Sequence, residues 1–287
     1  MIMIKKIFYF IQALVIYFLF LIGFILGIKL SRIFFSNLFS LFGPFFRSRK
    51  VIDKNLNIFL PNISVEKRNE IISNMWNNYG KTFIEYIFLK KIKKQEHSIE
   101  IEDEADLSDI IKKKYPVIFV SGHFANFELM SMTIVNKNIK LATIYRPLNN
   151  IFLNPFMEFL RRKYVCKNQI KKGINGVRKA IEYIKQDYSI ALMIDQRVSE
   201  GDNVNFFGKS ALTTTLPAQL AEKFNLKIIP VFIERTNNNK FKIKFFKHID
   251  PKDYKSKLDI SSKLNEILES MISKNPNQWI WTHNRWK

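Results

Sequence analysis

Apolar positions run almost unbroken from Ile7 to Ile28, with Gln12 and two glycines as the interruptions. At 22 residues the run is long enough to cross a bilayer as a helix. It exceeds an ordinary signal-peptide core, and no small-x-small cleavage site follows it. A buried core helix is the alternative, and the uniform apolarity argues against it. Lys5 and Lys6 precede the run, whereas Lys29, Arg32, Arg47, Arg49, Lys50 and Lys54 follow it. The heavier basic side is C-terminal, so the positive-inside rule puts the rest of the chain in the cytoplasm. Ile33 to Phe46 is a second apolar stretch, rich in Phe but broken by Ser, Asn and Gly43-Pro44. It is expected to lie on the bilayer surface, with Arg47-Ser48-Arg49-Lys50 reaching anionic headgroups; a docking helix is the competing reading. The organisation expected is therefore an anchor over 1–30, an interfacial linker over 31–64 and a cytoplasmic domain over 65–287.

Past residue 64 the periods change. Apolar residues at three- and four-residue steps from Val65 to about Lys91 predict a helix. Ile99-Glu100-Ile101-Glu102 alternates like an edge strand, and a short helix follows over 106–114. Val117 to Val120 is a buried strand, broken at Ser121-Gly122, and helical spacing resumes from Asn126. Strands are then predicted over Lys140–Tyr145, Ser189–Ile194, Lys227–Glu234 (interrupted by Pro230) and Phe241–Phe246, the last two joined at Asn237-Asn238-Asn239. Helices are predicted over Phe152–Lys163, Gly173–Gln186, Leu216–Phe224 and Ser261–Lys274. This alternation argues for an α/β layered sandwich, a mixed, mainly parallel sheet flanked by helices.

Composition changes the picture little. Hydrophobic residues make up 47% of the 287, enough for a sizeable core. The formal net charge of +21 suits an anionic membrane surface, nucleic acid or an acidic protein. Because Ile, Lys and Asn are abundant even in featureless loops, the charge constrains partners without choosing one. The single cysteine, Cys166, excludes an internal disulfide framework and reads as a small, partly buried residue. Four histidines, none spaced as a ligand pair, give no sign of a metal.

The chemistry gathers where strands end. In open α/β sheets the binding crevice forms at the carboxyl ends of the strands. Three predicted strands end there in polar residues that a core would not require: His123, Arg146 and Asp195. Glu128 lies five residues after His123, at the start of the helix. A carboxylate so placed can accept one ring N–H and leave the other ring nitrogen free to take a proton. The plain alternatives are a helix-capping Glu for Glu128, a helix cap for Asp195 and a strand-end ion pair for Arg146.

With these boxes in order, the chain resembles the bacterial lipid A biosynthesis acyltransferases. The resemblance rests on the N-terminal apolar helix, then Gly122-His123-Phe124-Ala125-Asn126-Phe127-Glu128-Leu129 as an H-x4-D/E box, then Tyr145-Arg146-Pro147 with Asn149-Asn150. An Arg late in the next helix, Asp195-Gln196, Phe206-Phe207-Gly208 and the aromatic, basic tail from Trp279 to Lys287 complete it. It implies a membrane-bound acyltransferase that moves a fatty acyl chain from acyl–acyl-carrier-protein to a hydroxyl of a lipid A precursor. The implied base is His123 with Glu128 as partner, and no cofactor is needed beyond the acyl thioester co-substrate. Arg146, Arg161 or its neighbour Arg162, Asp195 and Gln196 are the implied substrate-binding residues, with Asp195 orienting an Arg or the His. The implied partners are the acidic carrier protein, the lipid A precursor and membrane lipids, at the bacterial inner membrane and without nucleic acid. The Pro-Glu-Gly-Thr-like box of glycerol-phosphate acyltransferases is absent, so a glycerolipid enzyme is the less favoured alternative. A membrane-anchored basic module without catalysis is the alternative from another class. The Trp-rich tail is expected either at the membrane interface or over a core edge.

Overall fold

The computed structural model describes residues 2–95, 99–105 and 107–287. The chain begins with the helix α1 (Ile2–Phe46), followed by α2 (Arg49–Phe59), α3 (Val65–Glu85) and, after a 3-10 turn at Tyr86–Phe88, α4 (Leu89–Lys94). The layered domain then runs β1 (Ile99–Asp103), α5 (Leu107–Lys113), β2 (Ile118–Ser121), α6 (Glu128–Asn136), β3 (Leu141–Tyr145), α7 (Asn154–Leu160), β4 (Asn168–Lys171), α8 (Ile174–Ile184) and β5 (Ser189–Met193). A hairpin of β6 (Asp202–Phe206) and β7 (Lys209–Thr213) follows, then α9 (Leu216–Phe224), β8 (Ile228–Arg235), β9 (Phe241–Phe245) and α10 (Lys257–Lys274). The helix expected over 106–114 begins at Asp106, outside the described residues; its described part is α5.

Seven strands form the main sheet in the order β1-β9-β8-β2-β5-β3-β4. β8, β2, β5, β3 and β4 are parallel, and β9 runs antiparallel to β8. The central strands read as unbroken apolar runs because both of their faces are covered. Phe119 on β2 faces the cluster formed with α1 and α6, while Ile118 and Val120 face the cluster formed with α8, α9 and α10. Pro230 does not interrupt β8. It marks where β8 leaves β2, since that ladder ends at Val120 opposite Pro230, while pairing with β9 continues from Val231 to Arg235. A proline has no N–H to give a ladder, so it suits that boundary.

Four elements lie where none was predicted: β4, the two strands of the β6–β7 hairpin, and α2. β4 (Asn-Gln-Ile-Lys) is an edge strand, and β6 (Asp-Asn-Val-Asn-Phe) is half polar, so neither carries a strand-like apolar run. α2 falls in the supposed linker. Its buried face is Ile52, Asn55 and Leu56, and Asn55 Nδ2 donates to the carbonyls of Trp281 (2.9 Å) and His283 (2.7 Å). That contact holds down the C-terminal tail, in which Trp279, Trp281 and Arg285 are fully buried. Of the two readings of the tail, the structure takes the core edge.

α1 does not stop at Ile28. It bends at Gly27, whose φ 68, ψ 166 lie in a region essentially restricted to glycine, and continues to Phe46. Ser31 Oγ donates to the Gly23 carbonyl across the bend, at 2.7 Å. α1 crosses α3 with backbones touching: a β-carbon on Gly80 would lie 2.0 Å from the Phe35 carbonyl oxygen.

Candidate active site

Register brings the first two candidate side chains together. β2 and β5 are parallel neighbours with Ser121 opposite Met193, and Ile194 N–H donates to the Ser121 carbonyl at 2.9 Å. Two residues beyond each strand end, His123 and Asp195 meet. Asp195 Oδ1 lies 2.8 Å from His123 Nδ1, and Oδ2 accepts the His123 backbone N–H at 2.8 Å and the Trp279 Nε1–H at 2.9 Å. Asp195 is 2% exposed. Burial by itself disfavours its charge, but the His123 ring, the bonds from His123 and the Trp279 indole outweigh it and hold the carboxyl down at about 2. An ionised carboxylate only accepts, so Nδ1 carries the proton and the Nε2 lone pair is left available. Among the described residues Nε2 has no hydrogen-bond partner. The ring is partly exposed and meets Phe127 edge-on, with centroids 4.7 Å apart.

The turn that carries His123 is held on both sides. Ala125 takes φ 44, a left-handed conformation that costs a side-chain-bearing residue about 1–3 kcal/mol unless its surroundings impose it. They do: Ala125 N–H donates to the Gln278 carbonyl at 3.1 Å, and Thr82 Oγ1 donates to the Ala125 carbonyl at 2.9 Å. Asn126 Nδ2 donates to Glu85 Oε2 at 2.9 Å. Glu85 is wholly buried and also takes Arg32 Nε at 2.7 Å and both terminal nitrogens of Arg235.

Glu128 is not the partner of His123. Its Oε1 accepts from Tyr86 Oη at 2.6 Å and from Arg161 Nε at 2.7 Å, and Arg161 Nη2 closes the triangle on Tyr86 Oη at 3.0 Å. Glu128 is the first residue of α6, and the helix directs its side chain toward the 3-10 turn after α3 and the end of α7. A spacing of five residues across a turn into a helix does not fix which way the carboxylate points. Strand register does, and it gives Asp195 to the histidine. The expected alternative, Asp195 orienting an Arg or the His, therefore resolves to the His.

Arg161 opens a π-turn, Arg161–Val165, closed by the Cys166 N–H on the Arg161 carbonyl at 2.9 Å. Such turns redirect side chains and are frequent at functional sites. The Arg161 guanidinium lies 5.7 Å from the ring centres of both Tyr86 and Tyr145. Burial opposes its charge, but Glu128 and Tyr86 more than offset that, so it stays fully charged. Arg162 faces outward, and its Nη1 donates to the Lys167 carbonyl at 3.3 Å. The geometry thus separates two neighbours that sequence could not. Arg146 is exposed at the end of β3, with no ion pair or hydrogen bond among the described residues. Gln196 is half-buried beside Asp195 and belongs to neither pair.

Three participants were not among the predicted site residues. Trp279 supplies a donor to Asp195 from the far end of the chain. Tyr86 bridges Glu128 and Arg161. His283 accepts the Arg197 backbone N–H on Nε2 at 2.9 Å, and burial lowers its pKa despite the nearby Asp195. Its only free lone pair is thereby used, so it does not compete with His123 as a base. Cys166 is buried, its thiol donating to the Leu141 carbonyl at 3.2 Å. Among the described residues no cluster of three or more His, Cys, Asp or Glu is placed to hold a metal ion. Two open clefts of about 770 and 960 Å³ lie where α2 faces α10 and the β6–β7 hairpin, and neither is lined by His123, Asp195 or Arg161.

Comparison with known proteins yields a family and relatives. The profile of the family described as "Bacterial lipid A biosynthesis acyltransferase" matches residues 2–287. A lipid A biosynthesis palmitoleoyltransferase of Escherichia coli (strain K12) is 22% identical over 254 residues, 85% of this chain and 80% of that protein. A lipid A biosynthesis acyltransferase of Shigella flexneri matches with the same identity and coverage. Among solved structures, the 1-acyl-sn-glycerophosphate acyltransferase of Thermotoga maritima aligns with a TM-score of 0.41 at 15% identity, over 95% of this chain and 99% of that one.

Proposed function

This chain belongs to the bacterial lipid A biosynthesis acyltransferase family, and from that premise we propose that it moves a fatty acyl chain from acyl–acyl-carrier-protein to a hydroxyl of a lipid A precursor, with His123 as general base. The observation that carries the mechanism is the His123–Asp195 pair: Nδ1–H is committed to an ionised, buried carboxylate, and Nε2 is free. In the proposed step Nε2 takes the proton of the acceptor hydroxyl as its oxygen attacks the thioester carbonyl carbon. The tetrahedral intermediate then collapses, the C–S bond breaks, and the imidazolium returns the proton to the leaving thiolate. Asp195 stabilises the imidazolium between these events. The transfer is direct, without an acyl-enzyme.

Arg161, held by Glu128 and Tyr86, is the proposed cation for the developing oxyanion or a sugar phosphate. Glu128 acts through Arg161 as a positioning residue. Arg146, exposed and without a partner among the described residues, is proposed to meet the anionic substrate. The strongly basic chain suits an acidic carrier protein. The enzyme is proposed to act at the inner membrane with its catalytic domain on the cytoplasmic side, supported by α1, a helix long and apolar enough to enter a membrane. The test is His123→Ala, assayed as purified full-length protein with acyl-carrier-protein thioester and a lipid A precursor. A loss of about 10²–10⁴-fold is expected for removing a positioned base. A folded His123→Ala protein as active as the parent would end this reading.

A further inference from the structure

α1 looks like a membrane span by length and apolarity, yet one side of it is already occupied. Ala13, Ile16, Phe20 and Gly23 recur at three- and four-residue steps and pack onto the domain, and beyond the Gly27 bend Ile28 and Phe35 continue the strip. Polar ties run along the same side. Asn150 Nδ2 donates to the Tyr9 carbonyl at 2.8 Å and to Gln12 Oε1 at 2.9 Å, and Tyr17 Oη donates to the Phe152 carbonyl at 2.9 Å. Phe20 stacks on Phe83 with centroids 4.9 Å apart, and Arg32 reaches Glu85 at 2.7 Å. The docked length from Tyr9 to Ile28 is ~30 Å at 1.5 Å per residue, the whole thickness of a hydrocarbon core. No free-standing segment of that length remains among the described residues of α1.

The opposite side of α1 is bare. Phe8, Ile11, Leu14, Phe18, Leu21 and Ile25 are all at least half exposed. The domain extends that face with Ile151, Phe152 and Phe159, which are exposed beside it; Phe10 meets Phe152 at 5.4 Å. Continuous apolar surface of this extent marks a membrane or protein contact. If α1 crossed the bilayer, the domain strip bonded to it would be dragged into hydrocarbon. Arg162 and Lys163 lie three and four residues after Phe159 and are exposed. Charges at the bilayer centre cost at least ~2.5–3.5 kcal/mol each. With the helix lying flat, the same long side chains reach the headgroups.

Accepting the membrane attachment proposed above, we infer that α1 does not span the bilayer but lies within one leaflet, docked on the catalytic domain, with Ile151, Phe152 and Phe159 immersed beside it. The occupant of the bare face is the lipid leaflet. A helix covered by protein on one side and by acyl chains on the other must be apolar all round, which is why its sequence imitates a span.

The test is a depth profile. Nitroxide labels are placed on single cysteines substituted for Ile4, Phe8, Ile11, Leu14, Phe18, Leu21, Ile25 and Ile151 in the full chain, bound to phosphatidylethanolamine/phosphatidylglycerol vesicles. Native Cys166 is buried and serves as the labelling background. Relative accessibility to oxygen and to a polar nickel chelate reports depth. The expected profile is flat, all positions immersed to ~5–10 Å, with Ile151 at the same level. A profile peaking near Leu14 and falling to opposite surfaces at Ile4 and Ile25 would overturn the inference and leave membrane attachment standing. Greater nickel than oxygen accessibility at every position would overturn both.

Discussion

Replacing Asp195 by asparagine keeps the shape of the site and removes its charge, and the structure dictates what the amide must do. Oδ2 of Asp195 receives two donors, the His123 backbone N–H at 2.8 Å and Trp279 Nε1–H at 2.9 Å. An NH₂ group cannot face those donors, so the asparagine oxygen takes that place and the NH₂ turns toward His123 Nδ1. Nδ1 must then accept, and the proton moves to Nε2. The nitrogen that should receive the substrate proton no longer has a lone pair. Asp195→Asn is therefore expected to lose about 10²–10⁴-fold in kcat, as much as His123→Ala, which is ~2.7–5.5 kcal/mol at 1.36 kcal/mol per decade. Steady-state kinetics on the purified chain measures the rate, and ¹⁵N chemical shifts of the His123 ring report the tautomer. The two losses should not add, because the residues work as one unit. An Asp195→Asn protein with near-parental kcat, or one whose His123 keeps its proton on Nδ1, would refute the reasoning.

The same pair predicts a pH effect on stability. The Asp195 pKa falls from 3.8 to about 2 on folding, worth roughly 2 kcal/mol that is present above the unfolded value and lost as pH falls through the folded one; the drop in Tm between pH 5 and pH 2 should be smaller in Asp195→Asn. Glu128→Ala leaves Arg161 charged and largely buried, so it should destabilise by ~3–5 kcal/mol, and a double-mutant cycle with Arg161→Ala in urea melts should show strong coupling. Arg162→Ala should stay within about 0.5 kcal/mol of the parent in the same melts. Gly80→Ala drives a β-carbon to 2.0 Å from the Phe35 carbonyl oxygen, so α1 and α3 must separate, with a loss of at least ~1–3 kcal/mol read as a lower Tm.

Long periodic segments were legible in the chain because burial imposes a period on them. The central strands, α3, α9 and the C-terminal part of α10 lie where their apolar spacing put them, and strand-end polarity pointed to His123, Arg146 and Asp195 without any structure. β4 and the β6–β7 hairpin escaped because an edge strand and a small two-stranded ribbon bury too little to leave a pattern. α2 escaped because its buried face is short, Ile52 and Leu56 with the polar Asn55 between them.

What sequence determined, then, was which residue types stand at the ends of which strands, and that the run from Ile7 to Ile28 must face something apolar on every side. What only the tertiary structure decided was who meets whom. His123 and Asp195 are 72 positions apart in the chain yet adjacent, because β2 and β5 are parallel neighbours in register. Glu128, five positions from His123, turns to Arg161 because it starts a helix that points it elsewhere. α1 reads as a span from its composition, but composition cannot tell protein from lipid as the source of an apolar surface. Gly23 and Gly80, where the Ile84 side chain and the α1 backbone come too close for a β-carbon, show that one side of α1 belongs to the domain.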